Sequence, residues 1–451
     1  MGRRLVVIGA DAAGMTAAST ARRRDRDLEV VAYERTGWAS YAACGEPYYI
    51  AGYIPELDRL VARTPEQFAR AGIELRLRHE VVAIDPDART VTVLDLEGDR
   101  TFEDRYDELL VATGARAFVP PIPGVELEGV HTLRTLDDAE ALRRLADGPT
   151  GNVVIVGGGY IGLEVAEAFH VKGWSLAIVE AAPALLPRTL DPALGLQVAE
   201  RVEAMGIPVH LGAMVEELRG AHGRVVEVVA GELTLPADVV VLGIGSRPVV
   251  ELAEAAGIPL GPTGAIAVDD HQRTGVAHVW SAGDCAEVRH RVTGRPVNYH
   301  LGTVANKTGR VAGINLTGGD FAFPGVLGSA ITKLHELEIA STGLRVSDAV
   351  EAGLDAVEAT IEGSTMSHYM PGAAEVTIRL TAERGSGRLL GGQIVGGPGS
   401  GKRIDVVATA VWAGMTAEEL SWVDLAYAPP FSPVWDPVAI AARKTAQAAG
   451  R

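Results

Sequence analysis

Cysteine is scarce in this chain: 451 residues carry only Cys44 and Cys285. Two cysteines cannot form the disulfide framework of a small secreted domain, and such usage fits a reducing compartment, with the cytoplasm as the expected location. Long uncharged runs are missing as well. The longest, Gly148 to Leu163, is interrupted by Gly157, Gly158 and Gly159 and falls short of the roughly 20 apolar residues that a membrane span needs. Arg3 and Arg4 before Leu5–Ile8 imitate the start of a secretory signal, but Asp11 breaks the apolar segment after a few residues, so a strand is expected there. Positive charge is in deficit. Lys+Arg 41 against Asp+Glu 58 leaves a net charge of −17, a field that repels polyanions and argues against nucleic acid or an anionic membrane as partner. What remains is a globular mixture, 47% apolar and 22% charged, long enough for two to four domains at about 100 to 200 residues each.

The first chemistry-bearing pattern lies at the N-terminus. The apolar run Leu5-Val6-Val7-Ile8 leads into Gly9-Ala10-Asp11-Ala12-Ala13-Gly14, and the segment Met15 to Arg24 has helix-forming composition. A second strand, Leu28 to Tyr33, ends in Glu34, about 20 residues past the loop, where a dinucleotide-binding unit places the acid that bonds the ribose hydroxyls. The middle glycine of the usual G-x-G-x-x-G is replaced by Asp11. The pattern then recurs in full: Val153–Val156, then Gly157-Gly158-Gly159-Tyr160-Ile161-Gly162, helical Leu163 to Val171, and a strand Leu176 to Val179 ending in Glu180. Its glycines serve a tight turn, close approach of backbone to a pyrophosphate, and close contact of helix with strand. Two such sites imply two dinucleotides, and the economical pair is a tightly held FAD with a diffusing nicotinamide cofactor. Glu180 should accept a ribose 2′-hydroxyl and repel a 2′-phosphate, and no arginine follows before Arg188, so NADH is expected over NADPH.

Leu109–Gly114 and Val239–Gly243 read as buried strands ending in glycine and followed by Pro-bearing crossovers, the exits between domains. Thr274 to Asp284 reads as a strand ending in a carboxylate. Beyond Phe321, Ile339–Gly343, Val376–Leu380 and Leu389–Val395 suggest an antiparallel sheet, with helices near Ile404–Trp412 and Ala417–Leu420.

This order of motifs resembles the flavin-dependent pyridine nucleotide-disulfide oxidoreductases over essentially the whole chain. The resemblance implies an α/β fold with two Rossmann-like dinucleotide-binding domains and a C-terminal α+β dimerisation domain. The implied boundaries are residues 1–117 and 244–322 for a split FAD-binding domain, 118–243 for the NAD(P)-binding domain and 323–451 for dimerisation. It implies cofactor contacts for Gly9, Ala13, Gly14, Glu34, Arg35, Ser40, Val81, Ala112, Thr113, Gly114, Gly157, Gly159, Tyr160, Ile161, Gly162, Glu164, Glu180, Gly245, Gly283, Asp284, Leu301, Thr303 and Ala305. Asp284 would bond the ribityl chain, and the helix containing Ala305–Arg310 would point its N-terminus at the flavin, where its dipole favours negative charge.

The stretch Ser40-Tyr41-Ala42-Ala43-Cys44-Gly45-Glu46-Pro47-Tyr48-Tyr49 narrows the branch. Dithiol members carry a second cysteine five positions on, but that position is Tyr49. The segment resembles the active site of coenzyme A disulfide reductases, whose single cysteine alternates between thiolate and a mixed disulfide with coenzyme A; NADH oxidases and persulfide reductases share the arrangement. A thiolate beside a helix N-terminus is expected at Cys44. Cys285 reads as structural. The dithiol enzymes' C-terminal histidine is missing from Asp424–Phe431, and the resemblance implies that Tyr427 and Tyr369 reach the partner subunit's cysteine in a homodimer. Arg22, Arg23 and Arg24 read either as partners of a helix dipole or as ligands of coenzyme A phosphates. Three positions depart from the pattern: Ala43 stands where the coenzyme A enzymes carry asparagine, Asp11 where oxygen-reducing oxidases carry histidine, and His300 where proline is usual. The expectation is an NADH-dependent reductase of a small disulfide, coenzyme A disulfide or a persulfide. An NADH oxidase, or a flavin-bound redox-sensing binding protein, are the alternatives.

Overall fold

The computed structural model describes residues 2–451. Two five-stranded parallel sheets form its first two-thirds. In the first, Val279–Ser281, Glu108–Val111, Arg4–Ile8, Glu29–Glu34 and Ile73–Leu77 lie side by side in that order. In the second the order is Val130–His131, Val239–Leu242, Asn152–Val156, Ser175–Glu180 and Val209–Leu211. Their central strands are continuous apolar runs because helices cover both faces of a parallel sheet. In each, the strand that feeds a glycine loop is central, flanked on one side by the strand ending in Glu34 or Glu180. The chain therefore repeats one plan twice, and Val279–Ser281 returns to complete the first sheet after the second is built.

Each parallel sheet also carries a three-stranded antiparallel meander: His79–Asp85, Thr90–Asp95 and Arg100–Arg105 in one, Glu217–Ala221, Arg224–Ala230 and Leu233–Pro236 in the other. The two crossovers pair with each other, Ala115–Ala117 running antiparallel to Ser246–Pro248, so the polypeptide leaves and re-enters the first unit through one short ribbon. Where a strand from Thr274 to Asp284 was expected, only Val279–Ser281 is extended in the sheet. Gln272 and His278 have positive φ, which folds the preceding segment into turns.

The C-terminal unit is a five-stranded antiparallel sheet in the order Ala330–Leu334, Leu337–Gly343, Leu389–Gly396, Glu375–Glu383 and Ala356–Ser364. Helices Ile404–Ala413 and Pro437–Ala448 cover it around a core containing Ile378, Leu380, Ile394, Val407 and Val438. No helix of the described residues is long and apolar enough to cross a membrane.

Candidate active site

The two glycine loops are built alike. Gly9 and Gly157 hold φ of +96° and +106°, and a Cβ on either would lie 2.2 Å from Ala112 O or 2.6 Å from Gly243 O. Only glycine fits. Gly14 and Gly162 are equally closed, since a Cβ would meet the carbonyl of Gly9 or Gly157 at 2.0 Å. Glu34 accepts from the N–H groups of Ala10 (3.0 Å) and Thr36 (2.9 Å). Glu180 repeats the device, accepting from Gly158 and Ala182, both at 2.7 Å. The middle position differs: a Cβ on Gly159 would find only Gly243 O, at 3.9 Å. The chain itself leaves room there, which is why Asp11 is tolerated at the matching point of the first loop.

The helices behind these loops begin bare. Ala12–Arg24, Tyr160–Val171 and Gly302–Asn315 have no side-chain cap and no acid in the first turn. Leu136–Ala146 and Ala417–Ser421, by contrast, are closed by capping boxes from Thr135 and Asp138 and from Thr416 and Glu419. Uncapped N–H groups and an unopposed dipole suit a phosphate or the negative edge of a ring. With the glycine cradles, they fit a pair of dinucleotides.

Gly302–Asn315 lies against Ala12–Arg24 at very close range: a Cβ on Gly309 or Gly313 would strike Ala13 O (2.3 Å) or Ala17 O (2.6 Å). Leu301, Thr303 and Ala305 sit at the start of that helix. Gly283, φ +84°, faces Ala13, and its N–H donates to Thr308 Oγ1 at 3.1 Å, which presents Asp284 to the same region. Ala112, Thr113 and Gly114 follow the strand beside the first loop, with Thr113 Oγ1 donating to Val249 O at 2.6 Å. Val81 is buried in the first meander, and Arg35 is exposed beyond Glu34. On the second unit, Tyr160 hydroxyl meets Ser341 Oγ at 3.3 Å, Ile161 is partly exposed, and Gly245, φ +103°, has open space around it.

Cys44 is brought to this region by the backbone. Ser40, with φ of +50°, donates its N–H to Ala10 O (2.8 Å), and Tyr41 N–H donates to Asp11 Oδ1 (3.1 Å), which tether the segment to the first loop. Cys44 then lies on the single turn Ala43–Gly45, followed by helix Glu46–Ala51, which packs on Leu136–Ala146 and on Tyr160–Val171 behind the second loop. Cys44 thus lies on a segment tied to the first loop and leading into a helix packed behind the second, and as a residue it is exposed. The other cysteine is sealed: Cys285 is buried, its thiol directed at Val111 O (3.6 Å) and Ala282 O (3.5 Å).

The expected low thiol pKa is not what the surroundings produce. Burial pushes the Cys44 thiol up, the carboxylates of Glu164 and Glu46 add to this, and Arg134 pulls the other way. The short helix does not offset this burial and the nearby acids, one of which, Glu46, is in its own first turn. Glu164 is itself pushed up by burial while accepting from Thr332 Oγ1 at 2.7 Å. Asp11, under the same burial, is raised to about 6.

Arg134 was not flagged by any motif. It donates to Asp284 Oδ2 (3.0 Å) and to Ala115 O (2.9 Å), and its charge opposes the upward shifts at Asp11, Tyr41, Glu46 and Cys44. Arg134 immediately precedes the capping box of Thr135 and Asp138, and nothing in the sequence joins it to Asp284, 150 residues on. His300 accepts from Ser246 hydroxyl at Nδ1 and donates from Nε2 to Asn298 Oδ1 at 2.6 Å. Asn298 spends its amide hydrogens on Asp284 O and Ala286 O, which fixes its oxygen toward the ring and the imidazole as the neutral Nε2–H form. Burial lowers the His300 pKa in the same sense. Arg22, Arg23 and Arg24 are engaged by Asp25 O, Thr20 Oγ1 and Thr317 Oγ1.

Tyr427 and Tyr369 are 46% and 63% exposed and make no hydrogen bond to the Cys44 region within one chain. Their segments are joined to each other, Ser367 N–H donating to Pro429 O at 3.0 Å and Arg403 to both Thr365 O and Phe431 O at 2.7 Å. Trp422, Phe431, Val434 and Trp435, in the segment that carries Tyr427, are exposed as well.

Comparison with known proteins agrees with this architecture. Residues 3–309 match the pyridine nucleotide-disulphide oxidoreductase family and residues 329–438 match its dimerisation domain. The chain is 39% identical to an NAD(P)H coenzyme A polysulfide/persulfide reductase of Pyrococcus horikoshii, covering 98% of each sequence. It is 30% identical to a coenzyme A disulfide reductase of Staphylococcus aureus, over 95% of this chain and 96% of that protein. Among solved structures, a NAD-dependent persulfide reductase from A. fulgidus superposes with TM-score 0.93 at 38% identity, over 98% of this chain and 82% of the other. A water-forming NADH oxidase from Lactobacillus brevis also gives 0.93, at 28% identity over 99% of each. The chain therefore belongs to the pyridine nucleotide-disulphide oxidoreductases, enzymes that use a flavin and a nicotinamide nucleotide.

Proposed function

We propose that this chain is an NADH-dependent reductase of a small disulfide, coenzyme A disulfide or a related persulfide, with FAD in the first loop, NADH in the second and Cys44 as the redox sulfur. One observation carries the reading: the exposed cysteine sits on a segment tied to the first glycine loop and leading into a helix packed behind the second, and the other cysteine is sealed away. A disulfide needs two sulfurs, and with Cys285 buried away from Cys44 the mate must come from the substrate. The Cys44 thiolate displaces one half of an incoming disulfide, keeps the other half as a mixed disulfide, and returns to thiolate when two electrons cleave that bond.

The residues divide the remaining work. A flavin bound at the first loop would supply the two-electron chemistry that links a nicotinamide to sulfur. Glu34 and Glu180 would hold ribose hydroxyls, the bare N-termini of Ala12–Arg24 and Tyr160–Val171 would hold pyrophosphates, and Asp284 would hold the ribityl hydroxyls. In a homodimer closed over the Trp422–Trp435 surface, Tyr427 and Tyr369 serve the partner subunit's cysteine, where a phenol hydroxyl can donate a hydrogen bond to the departing thiolate. Two free cysteines support a reducing, cytoplasmic setting. Oxygen is the competing acceptor, favoured by the likeness to a water-forming oxidase and opposed by Asp11, which is not the histidine of that branch. Cys44→Ser should abolish NADH-dependent reduction of coenzyme A disulfide while flavin binding persists; full activity in that variant would overturn the reading.

A further inference from the structure

The turn that follows Glu180 is built around a strained residue. Leu186 has φ of +53° although it is a buried leucine and precedes Pro187. A side chain disfavours that region and a following proline pushes a residue toward extended backbone, so the conformation persists only where its surroundings over-determine it. What it secures is the middle of the second glycine loop. The Leu186 N–H donates to Gly158 O at 2.9 Å, while the Gly158 N–H donates to Glu180 Oε2 at 2.7 Å. Leu185 closes the space beside Gly158, where a Cβ would lie 2.3 Å from Leu185 Cδ2. The groups that hold the turn come from the C-terminal unit. Arg345, which follows strand Leu337–Gly343, donates to Pro187 O at 2.6 Å and to Leu190 O at 3.3 Å. Asp348 aims that guanidinium by accepting from its Nε and from its other terminal nitrogen, both at 2.8 Å. Gln393, on strand Leu389–Gly396, pins the next residue, accepting from Asp191 N–H at 2.6 Å. The helix behind the loop rests on the same sheet, through Tyr160 with Ser341 and Glu164 with Thr332.

We propose that Arg345 is a positioning residue for the nicotinamide nucleotide: it holds Leu186 in the left-handed conformation and so keeps Gly158 in the shape that receives the pyrophosphate. This rests on the reading of the second loop as the NADH cradle. The C-terminal unit then has a task besides dimerisation. Without the guanidinium, the turn relaxes toward ordinary backbone and the Gly158 carbonyl loses its donor. The turn must be driven back before the loop can bind, and a competent fraction below one raises the apparent Kd in inverse proportion.

The test is calorimetric titration of ADP-ribose, which carries the adenosine and pyrophosphate without the nicotinamide, into the flavin-loaded parent, Arg345→Met and Asp348→Asn. Arg345→Met should weaken ADP-ribose about tenfold, the order of the cost of holding one non-glycine residue in a left-handed conformation. Asp348→Asn keeps the guanidinium but not the acid that aims it, and should weaken ADP-ribose by a smaller factor. In each variant KM for NADH should rise in step with that Kd, while kcat at saturating NADH stays within about twofold of the parent. A merely structural role would lower Tm and leave the Kd alone; that result, or equal affinities in all three proteins, would overturn the proposal. If the affinities match while Glu180→Ala still weakens ADP-ribose, Arg345 is removed and the NADH cradle stands. A flavin-loaded parent that binds no ADP-ribose removes both.

Discussion

Arg134→Met probes the electrostatic centre of the site. The guanidinium bonds Asp284 at 3.0 Å and the Ala115 carbonyl at 2.9 Å, and the Asp284 side chain is 12% exposed. Removing one partner from a buried pair costs roughly 3–5 kcal/mol because the remaining charge is stranded. The Arg134 side chain keeps 32% of its surface, so the low end applies, about 3 kcal/mol. For domains of this size each kcal/mol lowers Tm by about 2–4 °C, which gives a fall of roughly 6–12 °C. The methionine keeps most of the apolar stem, so the loss reports the charge and its hydrogen bonds. Calorimetry of the nucleotide-stripped chain at pH 7 is the assay, run with Asp284→Asn and the double variant. The amide introduced by Asp284→Asn leaves no stranded carboxylate, so the double variant should lose clearly less than the sum of the single losses. A Tm within 1 °C of the parent for Arg134→Met, or strictly additive losses, would refute the assignment.

Two further outcomes follow from the two cradles and the exposed tyrosines. Glu180→Ala removes the carboxylate that would repel a 2′-phosphate, and the kcat/KM ratio of NADH to NADPH should fall about tenfold, the equivalent of one hydrogen bond to a charged group; an unchanged ratio would count against Glu180 as the selector. Protomers bearing Cys44→Ser and Tyr427→Phe, each nearly inactive alone, should regain about a quarter of the parent activity when mixed and reassembled, because half the dimers then hold one intact site of two. No recovery would place Tyr427 outside the partner's site.

The two parallel sheets were legible because the requirement behind them is local: a turn at Gly9 or Gly157 that no Cβ permits, and an acid at the end of the next strand. The antiparallel C-terminal sheet was readable from three apolar runs for a similar reason. The meanders went unread although Thr90–Asp95 alternates buried and half-buried residues along its length, the period of a half-covered strand. What escaped the sequence was set by partners distant along the chain. Arg134 meets Asp284 across 150 residues, and no spacing rule connects them. The direction of the Cys44 shift reversed for the same reason: the local signal, a helix start, was outweighed by burial and by Glu164 from another domain. Tyr369 and Tyr427 matched a motif, but within one chain neither hydrogen-bonds to the Cys44 segment and both are exposed.

The central claim is that Cys44 borrows its sulfur mate from a small molecule. The direct measurement is to purify the oxidised enzyme, denature it with free thiols blocked, reduce it, and identify by mass whatever thiol is released. The account predicts about one equivalent of a small thiol per chain, coenzyme A or a close relative, absent from Cys44→Ser. Release of nothing from the oxidised enzyme, or the same thiol from Cys44→Ser, would contradict it.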